Sequence, residues 1–222
     1  MNADGMAPER RAFYIDGFNL YYGLKAKGWR KYYWLNLEEM CFRLTKLGQE
    51  LVKIRYFTAR ISGNQKRKRQ QTYLEALDTL PKLETHYGLY LPGKQICRKC
   101  KCVSSKPSEK KSDVNIAIRM LTDALDDLYD VAVLISADSD LIPAIEAIKT
   151  YAPSKRVGLL FPPERNSALL QAECHFHIGT LNEGTLRKSQ FPDVVISRSG
   201  FPLHRPQHWA AITKAISPKV SP

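Results

Sequence analysis

Residues 131–136 read VAVLIS, an unbroken run of apolar, strand-forming side chains closed by a serine. A strand with one wet face alternates apolar and polar positions, whereas a run without alternation needs apolar cover on both faces. A central strand of a parallel sheet, held between two helical layers, meets that need. The flanking sequence supplies the other pieces. Residues 10–16 form a short apolar run ending in a turn signal, 51–61 and 156–161 are further strand-forming runs, and a last strand is expected at 177–181. Between them the spacing turns helical. The stretch 37–47 carries apolar side chains at 37, 40, 41, 44 and 47, a basic helix is expected at 65–80, and shorter helices at 140–151 and 167–174. The longest expected helix, 112–128, spaces Val114, Ala117, Ile118, Leu121, Ala124, Leu125 and Leu128 as one face. Strands separated by helices predict an α/β domain with a mostly parallel central sheet over 10–182. Residues 84–111 break the pattern with Pro92-Gly93 and a cysteine cluster, and read as a small insertion or hairpin. Residues 183–222, rich in Pro and Ser, read as an extended C-terminal tail.

In a parallel sheet all strands end at one edge, and ligands bind in the crevice outside those carboxyl ends. Asp16 ends the first strand in YIDGFN, and Asp138 and Asp140 follow the central strand in LISADSD. Asp113 opens the long helix in register with Ala117 and Met120, and joins them if that helix starts at the same edge. Carboxylates gathered together repel one another unless a cation compensates. Mg²⁺ or Mn²⁺ suits such oxygen ligands and keeps waters available for chemistry. The competing structural account is that Ser112, Asp113, Asp138 and Ser139 cap helices and that Asp16 before Gly17 shapes a turn.

The segments YIDGFNL, KKSDVNIAIRML and LISADSDLIPAIEAI, in that order, resemble the NYN domain family, relatives of the PIN-type nucleases. The resemblance covers about residues 11–181. It implies a PIN-like three-layer α/β/α fold, a divalent-metal site and action on RNA. Asp16, Asp113, Asp138 and Asp140 match the family's acidic positions, and Asn19 matches its early asparagine. Two positions depart: Ala137 stands where many members have Gly or Asn, and Arg119 where many have a further aspartate. The implied chemistry is phosphodiester hydrolysis by a metal-dependent ribonuclease, with Asp16, Asp113 and Asp138 as ligands and Asp140 as ligand or water-orienting base. Asn19 neither ionises nor serves as a base, so its role is a hydrogen bond. A non-catalytic RNA-binding protein that keeps the same pocket remains open. Pairing of two copies is compatible with the resemblance, although the sequence nominates no dimer interface.

The charge balance, 34 Lys and Arg against 22 Asp and Glu for a net +12, points to a polyanionic partner. Lys66, Arg67, Lys68 and Arg69 form a dense run near a helix start, and Lys106, Lys110 and Lys111 lead into Asp113. The stretch 25–34 interleaves bases with aromatics, as stacking on unpaired nucleotides requires. Single-stranded RNA is the favoured partner and DNA stays open. Cys97, Cys100 and Cys102 have a spacing that suits a structural Zn²⁺, with His86 the nearest fourth ligand; thiols that stay reduced are the alternative. His175 and His177 read as structural. Nothing resembles a Ser-His-Asp triad or a phosphate-cradling loop. No run approaches the roughly 20 apolar residues of a membrane span, and the N-terminal stretch lacks the apolar core of a secretory signal. No membrane association and a cytoplasmic location are therefore expected.

Overall fold

The computed structural model describes residues 7–61, 63–91, 94–96, 102–105 and 108–210. The chain runs β1 (Glu9–Asp16), α1 (Gly17–Ala26), α2 (Leu37–Leu44), β2 (Gln49–Thr58), α3 (Asn64–Asp78), β3 (Leu83–Tyr87), β4 (Leu89–Leu91), β5 (Lys94–Ile96), β6 (Val103–Ser105) and β7 (Ser108–Lys110). It continues with α4 (Ser112–Leu125), β8 (Val131–Ile135), α5 (Ile142–Tyr151), β9 (Arg156–Phe161), α6 (Ala168–Glu173), β10 (Phe176–Thr180), α7 (Glu183–Lys188), β11 (Val194–Ile196) and β12 (Pro202–His204). Six strands form one sheet in the order β10-β9-β8-β1-β2-β3, and every neighbouring pair is parallel. Counted along the chain, the order reads 3-2-1-4-5-6, so the connections reverse direction between β1 and β8. That reversal opens the crevice in which doubly wound sheets bind ligands.

Strand alternation sorts the core into two layers. Phe13, Ile15, Val131, Val133 and Ile135 face one side, packed with Leu20 and Leu24 of α1, Met40 of α2 and Leu77 of α3. Ala12, Tyr14, Ala132 and Leu134 face the other, packed with Ile116 and Met120 of α4, Ile145 of α5 and Leu170 of α6. All five residues of β8 are buried, as its unalternating sequence requires. Gly17 allows α1 to begin hard against β2: a Cβ there would meet the Phe57 carbonyl oxygen at 2.6 Å.

A buried polar latch ties α4 to the sheet. Arg55 on β2 grips Asp123 of α4 with two hydrogen bonds of 2.9 and 2.7 Å, and the Tyr14 hydroxyl donates to Asp123 at 2.7 Å. The same guanidinium pairs with Glu84 on β3. This latch explains one departure from the sequence reading. The buried face of α4 is Ser112, Ile116, Met120, Asp123 and Ala124, whereas Val114, Ile118 and Leu125 are 58%, 54% and 57% exposed. Apolar spacing alone could not see that a charged residue fixes the inward face.

Three other expectations are corrected. Leu83–Tyr87 belongs to the main sheet as its edge strand, so the irregular excursion starts after it, with β4 pairing β7 and β5 pairing β6 antiparallel. Helix α2 stops at Leu44, and Leu47 is fully exposed beyond it. The segment after residue 182 is no extended appendage over its described part. Leu186, Phe191, Val195, Leu203 and Trp209 join the first core layer, the Ser189 carbonyl accepts from Asn36 N at 2.8 Å, and the Phe191 N–H donates to the Trp34 carbonyl at 3.1 Å. Those apolar residues are spaced too irregularly to register as an element among the prolines and serines.

The Arg55–Asp123 pair has side chains only 10% and 6% exposed. Truncation of one partner strands the other charge in the interior, at a cost of about 3–5 kcal/mol. Asp123→Ala is expected to lose stability of that order in urea unfolding; a loss below about 1 kcal/mol would contradict the latch.

Candidate metal centre and nucleic-acid interface

Asp16 and Ser136 end their strands in phase with Ala12, Tyr14, Ala132 and Leu134, on the side covered by α4 and α5. The parallel register sets Ile15 opposite Ile135, so the next residue of each strand emerges side by side. The Ser136 hydroxyl donates to Asp16 Oδ2 at 2.9 Å and accepts from the Asp138 N–H at 3.1 Å. Asp16 Oδ1 accepts from the Asn19 N–H at 2.9 Å, capping α1, and Asp138 Oδ1 accepts from the Asp140 N–H at 3.0 Å, capping a 3₁₀ turn. Capping is therefore real for Asp16 and Asp138, and it orients them without neutralising their charge. Asp113 is different. The cap position of α4 is Lys111, in the left-handed region at φ 78°, and no side chain caps that helix. Ser136 is the residue that sequence reasoning missed; its signal was its phase with the inward side chains of β8.

The electrostatics show that the four carboxylates share one neighbourhood. Burial, followed by the charges of Asp138, Asp16 and Asp140, pushes the Asp113 carboxyl up from an ordinary 3.8 to about 6. Burial also raises Asp16, with Asp138 adding to it against the hydrogen bonds from Asn19 and Ser136. Among the described side chains none of the four makes an ion pair. The opposite edge of the sheet is built the other way. There Asp130 accepts from the Arg10 side chain at 2.7 and 3.2 Å, Asp127 accepts from Arg10 at 2.8 Å, and Lys155 contacts Asp127. The Arg10 hydrogen bonds, with help from Lys155, hold the Asp127 carboxyl down at about 2. Among the described side chains, one edge neutralises its carboxylates and the other leaves them without an ion-pair partner.

The donor set fits a hydrated divalent ion. Among the described residues Asn19 presents a buried Oδ1 with no hydrogen-bond partner, and Ser112, next to Asp113, a buried unpartnered hydroxyl. Such orphaned oxygens ask for a cation or a water. Among the described residues no three His, Cys, Asp or Glu side chains close into a metal cage by themselves.

The remaining candidates fall into three groups. Lys66, Arg67 and Lys68 are exposed and Arg69 half-exposed in the first turns of α3, and none of them forms an ion pair among the described side chains. Helix α3 follows β2, so its start lies at the same sheet edge as Asp16. Lys111 is exposed two residues before Asp113, while Lys106 and the side chain of Lys110 lie outside the described residues. The aromatics at 29–34 mostly serve packing: Trp34 is fully buried and donates through Nε1 to the Pro192 carbonyl at 2.8 Å, and Tyr32 is buried as well. Cys97 and Cys100 lie outside the described residues, and Cys102 is exposed. His86 stacks on Phe57 with ring centroids 4.9 Å apart, and its Nε2 stands 3.3 Å from Glu84. His175 Nδ1 accepts from the Val157 N–H at 3.0 Å, a structural role. Arg119 is exposed on α4, and its charge contributes to lowering His86, behind burial as the main cause.

The NYN domain model matches residues 10–182, most of the chain. The protein belongs to the NYN domain family. NYN domains are nuclease-like, and the parallel six-stranded sheet between two helical layers is consistent with that fold. A relative, 6-hydroxy-3-succinoylpyridine 3-monooxygenase HspA of Pseudomonas putida, is 28% identical over 91% of this chain and 76% of its own length. A crystal structure of a protein of unknown function from Vibrio parahaemolyticus superposes with a TM-score of 0.54 at 18% identity, over 86% of this NYN chain and all of that one. That likeness is one of fold. Among the described residues no helix is long and apolar enough to cross a membrane.

Burial of Asp113 among like charges has a measurable consequence. Asp113 titrates near 6 when folded and near 3.8 when free. As pH rises the unfolded chain therefore sheds this proton first, and stability falls between about pH 4 and 6. In chelator at pH 7, Asp113→Asn is expected to relieve about 1 kcal/mol after discounting for partial exposure. Its melting temperature then rises by roughly 2–4 °C, and the gain vanishes near pH 4. A variant no more stable than the parent at pH 7 would contradict the raised Asp113 carboxyl.

Proposed function

We propose that this NYN protein is a divalent-metal-dependent endoribonuclease acting on single-stranded RNA. The observation that carries the reading is the group of Asp16, Asp113, Asp138 and Asp140 at the β1–β8 crevice, unpaired among the described side chains, in a chain with net charge +12. Asp16, Asp113 and Asp138 would hold Mg²⁺ or Mn²⁺, partly through water, with Asn19 Oδ1 within the same environment. When bound, such an ion polarises the phosphate and lowers the pKa of an attacking water. The chain's own residues do the rest. Ser136 fixes the rotamer of Asp16 while holding the Asp138 backbone, so both carboxylates are set before substrate arrives. Asp140, exposed beside Asp138, is placed as a further ligand or as the base that orients water. The unpaired bases of α3 and Lys111 offer the ribose-phosphate backbone a positive approach to the acidic group.

The named activity of the Pseudomonas relative supports a second reading, an oxygenase acting on a pyridine-type ring. In a doubly wound sheet a dinucleotide's pyrophosphate rests on the turn after the first strand, against glycines and free helix N–H groups. Here that turn reads Asp16-Gly17-Phe18-Asn19, without the glycine fingerprint, and the Asp16 carboxylate already occupies the helix end. An anion there would face a buried carboxylate, which favours the nuclease reading.

Labelled single-stranded RNA incubated with the full chain should be cut with Mn²⁺ or Mg²⁺ and left intact in EDTA. Asp138→Asn should slow cutting by about 10²-fold or more. RNA binding without cleavage under either metal would move the protein to the non-catalytic class. Insertion of one oxygen atom of O₂ into a hydroxypyridine ring, with the other released as water at the expense of a supplied two-electron reductant, would establish the oxygenase instead.

A further inference from the structure

Between Asp16 and Glu38 the chain has seven aromatics and four bases at 17–34 and no acid. Part of that set is buried, but α1 turns another part outward. The helix seats Gly17, Leu20, Gly23 and Leu24 on the core, which leaves Tyr21 and Tyr22 on its outer face, 41% and 43% exposed. Phe18 and Tyr22, one turn apart, lie nearly parallel with ring centroids 6.3 Å apart and 28° between planes. Lys25 Nζ sits 5.9 Å from the Tyr22 centroid, continuing the row along the helix. Tyr21 contacts Tyr33 at 5.1 Å, and Tyr33 contacts the buried Trp209 at 5.8 Å, so the row is braced against the core. Beyond it, Arg30 contacts His208 at 3.0 Å, and Arg69 of α3 is close enough for its charge to act on the same histidine. The row begins two residues from Asp16, which caps this helix.

We infer that Phe18, Tyr21 and Tyr22, with Lys25, form a stacking platform for the unpaired bases of single-stranded RNA next to the acidic group. Aromatic faces accept any base, and flanking cations follow the backbone, so the platform confers strand preference without sequence preference. The braced side chains lose little freedom on binding, unlike a loose surface tyrosine. A duplex keeps its bases stacked on one another and gains nothing from the platform. The inference rests on the ribonuclease reading for its ligand, and its test separates the two.

The experiment measures binding of a fluorescent 12-mer of oligouridine, and of a blunt RNA duplex, to the full chain in EDTA, with cleavage followed separately in Mn²⁺. The Tyr21→Ala/Tyr22→Ala double variant should bind oligouridine at least about tenfold more weakly, with duplex binding and melting temperature unchanged. Tyr21→Phe/Tyr22→Phe should bind as the parent does. Lys25→Glu supplies an independent variant and should weaken oligouridine binding in the same direction. Parent-like oligouridine binding by both the alanine pair and Lys25→Glu, with cleavage intact, overturns the platform alone. Failure of the parent to bind oligouridine overturns the platform, and failure to cut it in Mn²⁺ as well overturns the ribonuclease reading. Equal loss on single strand and duplex also overturns the platform.

Discussion

Asp16 and Ser136 stand 120 residues apart in sequence and share a hydrogen bond of 2.9 Å because β1 and β8 pair in parallel, in register, at the centre of the sheet. Everything proposed for the molecule hangs on that pairing. It creates the reversal of strand order that opens the crevice. It places two strand-end side chains on the same face, and lets one serine hydroxyl order Asp16 and the Asp138 backbone together. At the far end of the same pair, Arg10 on β1 binds Asp130 just before β8 through its backbone N–H at 2.8 Å and its guanidinium. The two strands are thus fastened at both ends by different chemistry.

That difference separates scaffold from site. Asp127 and Asp130 are met by Arg10 and Lys155, and their carboxyls are held below the ordinary range. At the crevice burial, with repulsion between the carboxylates added to it, raises the carboxyls of Asp16 and Asp113. Folding alone gives no reason to gather uncompensated carboxylates, since each raised value is a destabilisation at neutral pH. The Arg55–Asp123–Tyr14 latch opposes this by holding α4 to the sheet, so that its first turn stays beside groups that repel it.

Much of this was legible in the sequence. The unalternating run at 131–136 announced a buried parallel strand, and Asp16, Asp138 and Asp140 were readable as strand-end residues because parallel strands finish at one edge. The orientation of α4 was not readable, because Val114, Ile118 and Leu125 mimic a core stripe while a buried ion pair at Asp123 sets the true face. The sequence pattern points to an aromatic surface at 25–34, yet Trp34 fills the core and the outward rings belong to α1, one turn nearer the carboxylates. Composition hid the docking of residues 183–210, since Phe191 and Trp209 are isolated among polar neighbours and find Trp34 only in three dimensions. Cys97 and Cys100, on which the zinc expectation falls, lie outside the described residues.

The central claim, that the uncompensated edge and not the paired edge holds a divalent ion, is tested most directly by calorimetric titration of Mn²⁺ into the full chain. Three proteins should be compared: the parent, Asp138→Asn, and Asp127→Asn as a carboxylate control at the opposite edge. The account predicts saturable Mn²⁺ binding by the parent and by Asp127→Asn, and its loss in Asp138→Asn with the fold intact. Equal binding by all three, or loss confined to Asp127→Asn, would contradict it.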